Sequence, residues 1–427
     1  MSNLTKPHRS VNASRQQGWE RDDLVRRCCL ALDIAKETIT LLAPEGFNDA
    51  DLLNNRILPE KIVGETGLLL LVTSMVGSHK DIAERVHTLA GMLMPYARKE
   101  KTFLEICLQP ALALEYAMAH IFLTNIGYPN DKFDAMLLKS MNALSRFGRE
   151  RPPHRMMEQA WIKRVWNQNN KDIHFPMGKA IADSSLNKPV DLLHGTTEDM
   201  YAFTHALMYA TNFSRSPRKM PRNRVEILSE AEAMLARCLD DQDYDLGGEV
   251  LLTWPLTGKS WSPAAAFAFR VLARAEDEAG MLPAPGTNPE QLQKLEGEKR
   301  QKYLYASAYH TAYVMGLLCA VSLQPGNAPP KHIRTKKPVQ GSARKILRFL
   351  DRDPQKKQWR DEFDKLPEKE QDTLAGLLLS IAVIRNVRQK RYGVVYEILG
   401  TAYQMDMADT ALASQAAELL ERLSLLS

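Results

Sequence analysis

The side chains best suited to chemistry in this 427-residue chain fall in four stretches. The first is His194–Tyr209 (HGTTEDMYAFTHALMY). On a helix Glu198, Tyr201 and His205 share one face, because steps of three and four residues stay together on a 3.6-residue turn. A carboxylate, a phenol and an imidazole so placed could serve as general base, acid and orienting partner, or contribute metal ligands, although two ligands do not make a site. The second stretch is Tyr305–Gly316 (YASAYHTAYVMG), where Tyr309 and Tyr313 lie one turn apart and His310 sits in an apolar context. The small residues there would let this helix pack closely at a wall, with Tyr309 and His310 turned inward.

The third stretch is Asp240–Glu249 (DDQDYDLGGE). Alternating acids resemble a calcium loop, but counted from Asp241 the loop needs Gly at its sixth position and Glu at its twelfth, and finds Leu246 and Leu252. It is not the Asp-Asp-x-x-Asp of diphosphate-ionising enzymes either, and a solvated acidic turn is expected. The fourth is Arg215–Arg224 (RSPRKMPRNR), five cations in ten residues. Arg215, Arg218 and Arg222 could bind a phosphate, a carboxylate or an acidic peptide, or simply form a solvated loop. His154 and Glu158, four apart, read as a chance pair. A P-loop is excluded because Thr253 stands where Gly258-Lys259-Ser260 would need a glycine, and no dinucleotide, hydrolase-elbow or zinc-protease motif occurs. No cofactor or metal is specified.

Positioning these groups falls to helices. Leu24, Cys28, Leu32, Ala35, Ile39 and Leu42 recur at helical spacing, and comparable patterns are predicted over 60–76, 79–98, 102–126, 131–147, 153–168, 198–211, 224–239, 263–280 and 302–323. Pro59, Ser78 with Asp81, Thr196 with Asp199, Asn223 with Glu226 and Ser262 before Pro263 mark helix starts. Period-2 alternation is absent, so the fold class expected is all-α: an α/α toroid or solenoid of antiparallel helix pairs with a C-terminal helical subdomain. The boundaries expected are a flexible tail over 1–20, a helical body over 21–325, a linker over 326–340 and the subdomain over 341–427.

Apolar residues are 44% and charged residues 25%, an ordinary globular balance. The segment Lys331–Ser427 has 18 basic and 13 acidic residues and so holds the whole net charge of +5. Cys28, Cys29, Cys107, Cys238 and Cys319 are odd in number without a C-x-x-C pair, which points to free thiols. No apolar run is long enough for a membrane span and no secretory leader is evident, so a cytoplasmic location is expected, with no nucleic-acid module.

The segments around Glu198–Phe213 and Tyr244–Pro283, including Trp254-Pro255-Leu256 and Trp261–Phe269, are similar to an uncharacterised family of helical bacterial proteins, of actinobacterial type, associated with natural-product gene clusters. The resemblance spans about residues 25–325. It implies no activity and no site residues. That family's expected acid after the Tyr-x-Thr run is here Asn212. Two functions follow as expectations. One is an enzyme of bacterial secondary metabolism, working by acid/base or metal-assisted chemistry on a peptide or small anionic intermediate, with Glu198, Tyr201, His205, Tyr309 and His310 converging and the Arg215–Arg224 loop covering the mouth. The other is a non-catalytic scaffold for a carrier protein, precursor peptide or partner enzyme, engaged through the C-terminal subdomain.

Overall fold

A computed structural model describes residues 19, 21–53, 56–166, 177–215, 220–333, 338–350 and 357–426. The protein is all-α. In chain order the helices are α1 (Arg21–Leu42), α2 (Pro59–Thr73), α3 (Lys80–Ala97), α4 (Glu100–Leu108), α5 (Ala113–Asn125), α6 (Asp131–Met141), α7 (Pro153–Trp166), α8 (Met177–Asp183), α9 (Thr197–Thr211), α10 (Arg224–Asp241) and α11 (Tyr244–Leu251). They continue as α12 (Thr253–Thr257), α13 (Pro263–Ala279), α14 (Pro289–Lys294), α15 (Gly297–Ser322), α16 (Ser342–Leu347), α17 (Gln358–Asp364), α18 (Glu368–Thr373), α19 (Ala375–Arg388), α20 (Tyr392–Gln404) and α21 (Ala411–Ser424). Among the described residues there is no strand, only an isolated bridge between Phe47 and Ile57.

Local chemistry sets many of these boundaries. The Thr196 side chain accepts from the Asp199 N–H while the Asp199 carboxylate accepts from the Thr196 N–H, the reciprocal capping box that starts α9. Ser262 caps α13, with Pro263 pre-set for the first turn. Several expectations need correction: Ser78 does not cap α3, which starts after His79, and the helix expected over 131–147 ends at Met141. The single helix over 102–126 is broken at Gln109–Pro110 and bends by 113°, since a proline there offers no N–H to continue the ladder. The stretch 244–257, expected as an acidic turn leading into a helix, forms two short helices, α11 and α12, the first started by the Asp243 side chain accepting from the Leu246 N–H.

Packing runs in a circuit. Helix α2 packs on α5, α5 on α7, α7 on α9, α9 on α11, α11 on α15, and α15 back on α2. Other helices back this circuit from outside: α1 lies along α15 and α3, α3 against α2 and α5, and α10 and α13 against α11. The α1–α15 contact is close because Gly316 has no side chain, and a Cβ there would lie 2.5 Å from that of Ala31. Helix α15 is apolar and long enough to cross a membrane, yet 78% of its apolar window is buried by neighbouring helices, the condition of a core helix.

The C-terminal helices pack on this body. Helices α19 and α21 lie on α10, and α17 on α13. Arg385 clamps Asp240 with two hydrogen bonds of 2.8 and 2.6 Å, Trp359 donates to the same carboxylate at 3.2 Å, and Arg388 forks onto Asp241 at 2.8 and 3.0 Å. One apolar cluster runs from Leu24 to Ala416. All five cysteines are free, four buried and Cys107 exposed.

Candidate functional site

A cavity of about 1290 Å³ opens within the helical circuit. Its walls include the first turns of α2, α5, α7, α9 and α11, through Glu60, Glu115, His154, Glu198 and Asp245, together with the middle of α15. Five helix N-termini facing one space add positive potential there, because their first N–H groups have no intrahelical acceptor. That explains why the first turns of α2, α5, α9 and α11 each carry an acid: the carboxylates complement the helix ends.

At the α11–α15 wall the buried Asp245 carboxylate accepts three bonds, from His310 Nδ1 at 2.8 Å, Thr311 Oγ1 at 2.9 Å and the Tyr201 hydroxyl at 2.6 Å. Burial would push Asp245 upward, but the His310 charge and these donors hold it at about 2. With Nδ1 committed to Asp245, the imidazole of His310 leaves Nε2 at the cavity, 3.9 Å from Glu65 Oε1. Burial works against the His310 cation, and Asp245 and Glu65 outweigh it, so its pKa rises to about 10. Tyr309 donates to the other Glu65 oxygen at 2.6 Å.

At the α9 wall Tyr201, His205 and Tyr209 stack one turn apart, as their spacing requires. His205 Nε2 lies 3.4 Å from Glu249, which also accepts from Thr204 at 2.6 Å. Burial lowers the His205 pKa, Glu249 more than reverses this, and the net shift is upward. His205 Nδ1 is buried with no hydrogen-bond partner among the described residues. A buried polar atom without a partner is uncommon, and at a cavity wall it is a donor or acceptor that an entering molecule can engage. Opposite it, on α7, is His154, whose ring centroid is 6.2 Å from that of His205. Burial first, then Arg155 and His205, lower His154 to about 4. Beside it Glu158 accepts from Tyr209 at 2.7 Å and from Arg155 at 2.9 Å.

Glu198, Tyr201, His205, Tyr309 and His310 therefore all line one cavity, Glu198 at its exposed rim and Tyr309 in its buried wall. The expected arginine lid is corrected. Arg222 pairs with Glu230 and donates to the Leu186 and Ser185 carbonyls at 2.9 and 3.1 Å, and Arg215 donates to the Leu71 carbonyl at 3.2 Å. Both tie loops to the body, and neither lines the cavity. Arg218 lies outside the described residues. The acidic stretch is corrected as well. Asp241 is exposed and Asp243 half-buried, while Asp240, Asp245 and Glu249 are buried in bonded networks. His154 and Glu158, set aside as coincidence, both face the cavity, and their four-residue spacing was the signal for a shared face. Asn212 takes the left-handed conformation that ends α9, which asparagine tolerates, and its side-chain oxygen accepts from the buried Trp161 at 2.7 Å.

Among the described residues no three His, Cys, Asp or Glu side chains converge as a metal-ligand set. No curated protein and no solved structure shows detectable similarity to the chain. A family description does match residues 30–320, most of the length and nearly the 25–325 span of the resemblance seen in the sequence. The chain belongs to that family, the domain of unknown function DUF6895, and the matched residues run from within α1 to near the end of α15.

Proposed function

We propose that this protein is a cytoplasmic enzyme of bacterial secondary metabolism that performs general acid–base chemistry on a small anionic or peptide-derived intermediate, in the axial cavity of an α/α toroid. The toroid is supported by the circuit of α2, α5, α7, α9, α11 and α15 with outer helices behind it. The bacterial and biosynthetic setting is supported by the resemblance carried by Glu198–Phe213 and Tyr244–Pro283 alone.

One arrangement carries the chemistry: three histidines line one cavity beside neighbours that shift their pKa values in opposite directions. Groups whose surroundings pull their pKa values apart are the ones that divide acid and base work. His154, lowered to about 4, is neutral at physiological pH and able to take a proton. His205, whose protonated form is favoured by Glu249, can donate one from the facing wall. His310, oriented by Asp245, presents a charged Nε2–H toward negative charge developing in the cavity. Tyr201 and Tyr309 stay protonated, since burial and then the Asp245 and Glu65 carboxylates oppose their ionisation.

Nuclear magnetic resonance titration of ¹⁵N-histidine-labelled protein tests this. His154 is expected to titrate near 4 and His310 near 10, with His205 titrating above the ordinary 6.5. If all three titrate together near 6.5, the acid–base assignment fails and the scaffold role becomes the better account, because holding a carrier protein or precursor peptide needs no such division.

A further inference from the structure

The α7 end of the cavity differs in composition from the α11–α15 end. Every Lys and Arg among the described lining residues, namely Arg56, Lys61, Arg149, Arg151 and Arg155, belongs to the starts of α2 and α7 or the segments just before them. The walls formed by α9, α11 and α15 supply none. Three of the five guanidinium and ammonium groups fall within seven residues around the start of α7. Helix α7 has no acid in its first turn, and the residue before it, Pro152, has no side chain able to cap it. Its N-terminus is therefore complemented by nothing of its own.

The pairing of these cations is uneven. Arg155 is held by Glu158, and Arg151 reaches Glu115 at 3.1 Å as well as the Ala111 carbonyl. Arg149 has only a long 3.4 Å bond to Gln109 and no carboxylate partner among the described residues. Lys61 lies 3.8 Å from Glu65, while Glu60 is engaged by Lys99 and Lys101 at 3.4 and 3.0 Å, and neither of those two lysines lines the cavity.

We infer that Arg149 and Arg151, with the N-terminus of α7, form an anchoring subsite for a carboxylate or phosphate group of the substrate. This rests on the acid–base reading above and adds the handle by which the substrate is held. His154 belongs to the same helix start, so an anion fixed by these guanidiniums places the adjoining atoms of the same molecule beside the His154 and His205 rings. Planar guanidiniums suit both oxyanions, which they bind through paired N–H donors. Anchoring a remote charged group to orient a reacting one is how binding energy is turned into positioning.

Isothermal titration calorimetry at low chloride, with inorganic phosphate and separately with succinate, tests the inference. The proteins are the full-length chain, Arg149→Gln, and the Arg149→Gln/Arg151→Gln pair. The exposed single variant keeps the test alive if the pair does not fold. Saturable binding of either probe, weakened roughly tenfold or more by the substitutions, is the expected result. Binding of phosphate alone names a phosphoryl-bearing substrate, and binding of succinate alone a carboxylate. Absence of saturable binding by both probes, or binding indifferent to the substitutions, overturns the subsite. Histidine titrations on the same samples separate the two ideas: divided histidines without anion binding remove only the anchor, and anion binding with undivided histidines removes only the acid–base assignment.

Discussion

Two buried charge clusters on opposite sides of α15 use similar parts to different ends. Beneath α1, Arg27 donates to Asp23 at 3.1 Å, the Ala273 carbonyl at 3.1 Å, Glu276 at 2.5 Å and Asp277 at 2.8 Å. Arg27 and Glu276 are 1% and 2% exposed. Its guanidinium has no donor directed at open space, and its neighbours Cys28 and Cys319 are sealed apolar groups. At the cavity, Asp245 is equally well bonded, but its partner His310 is 33% exposed and keeps one ring nitrogen toward the space within the circuit. Both clusters have strongly shifted pKa values, so a shift alone does not mark a site of chemistry. What separates them is whether a charged group retains an unspent donor or acceptor facing a volume that a second molecule can enter.

That contrast can be broken experimentally. The largest effect is expected from Arg27→Met, which leaves Glu276 and its neighbours without their cation. Stability in urea should drop by about 3–5 kcal/mol while the cavity histidines titrate as before. A change in those titrations would mean that the clusters are not independent. Next comes Gly316→Ala, which forces α1 away from α15. A loss of about 1–3 kcal/mol by thermal or urea unfolding is expected, and a neutral result would show that the two helices separate easily. Asp245→Asn should cost less stability than Arg27→Met, yet it should bring the His310 pKa well down from about 10 in a histidine titration, because the charge that holds the imidazolium is gone. If His310 stays put, Glu65 and not Asp245 sets its state.

The smallest effect is in the pH dependence of stability, and its sign differs between the two histidines. His154 is neutral in the folded protein down to about 4, whereas unfolded it protonates below 6.5. The unfolded chain therefore binds more protons, and stability falls as pH drops through that window. His310 is the reverse: its contribution is complete below 6.5 and is lost as pH rises toward about 10. The unfolding midpoint should thus peak near neutrality, with His154→Gln flattening the acid limb alone.

Much of the fold was legible because helix formation is written locally. Apolar spacing on α1, the capping box at Thr196 and the Ser262-Pro263 start of α13 all act within a few residues. The misreadings came where a remote partner decided the outcome. Asp240 looks like part of a solvated turn until Arg385 and Trp359, more than a hundred residues later, close on it. Arg222 looks like a free cation until Glu230 takes it up. His154 and Glu158 looked accidental because nothing in their own segment says what they face.

By itself the sequence determined most of the helices, many of their starts, and which side chains on a single helix share a face. It also placed Tyr201 beside His205 and Tyr309 beside His310. Only the tertiary structure decided that α7, α9, α11 and α15 turn those faces toward one cavity, that Asp245 and Glu249 are the carboxylates that meet the histidines, and that its lining takes in Arg149, Arg151 and Arg155 and leaves out Arg215 and Arg222. The physical reason is range. Backbone hydrogen bonding and side-chain spacing act over one or two turns, whereas the protonation of an imidazole depends on which distant charge packing brings within a few ångströms.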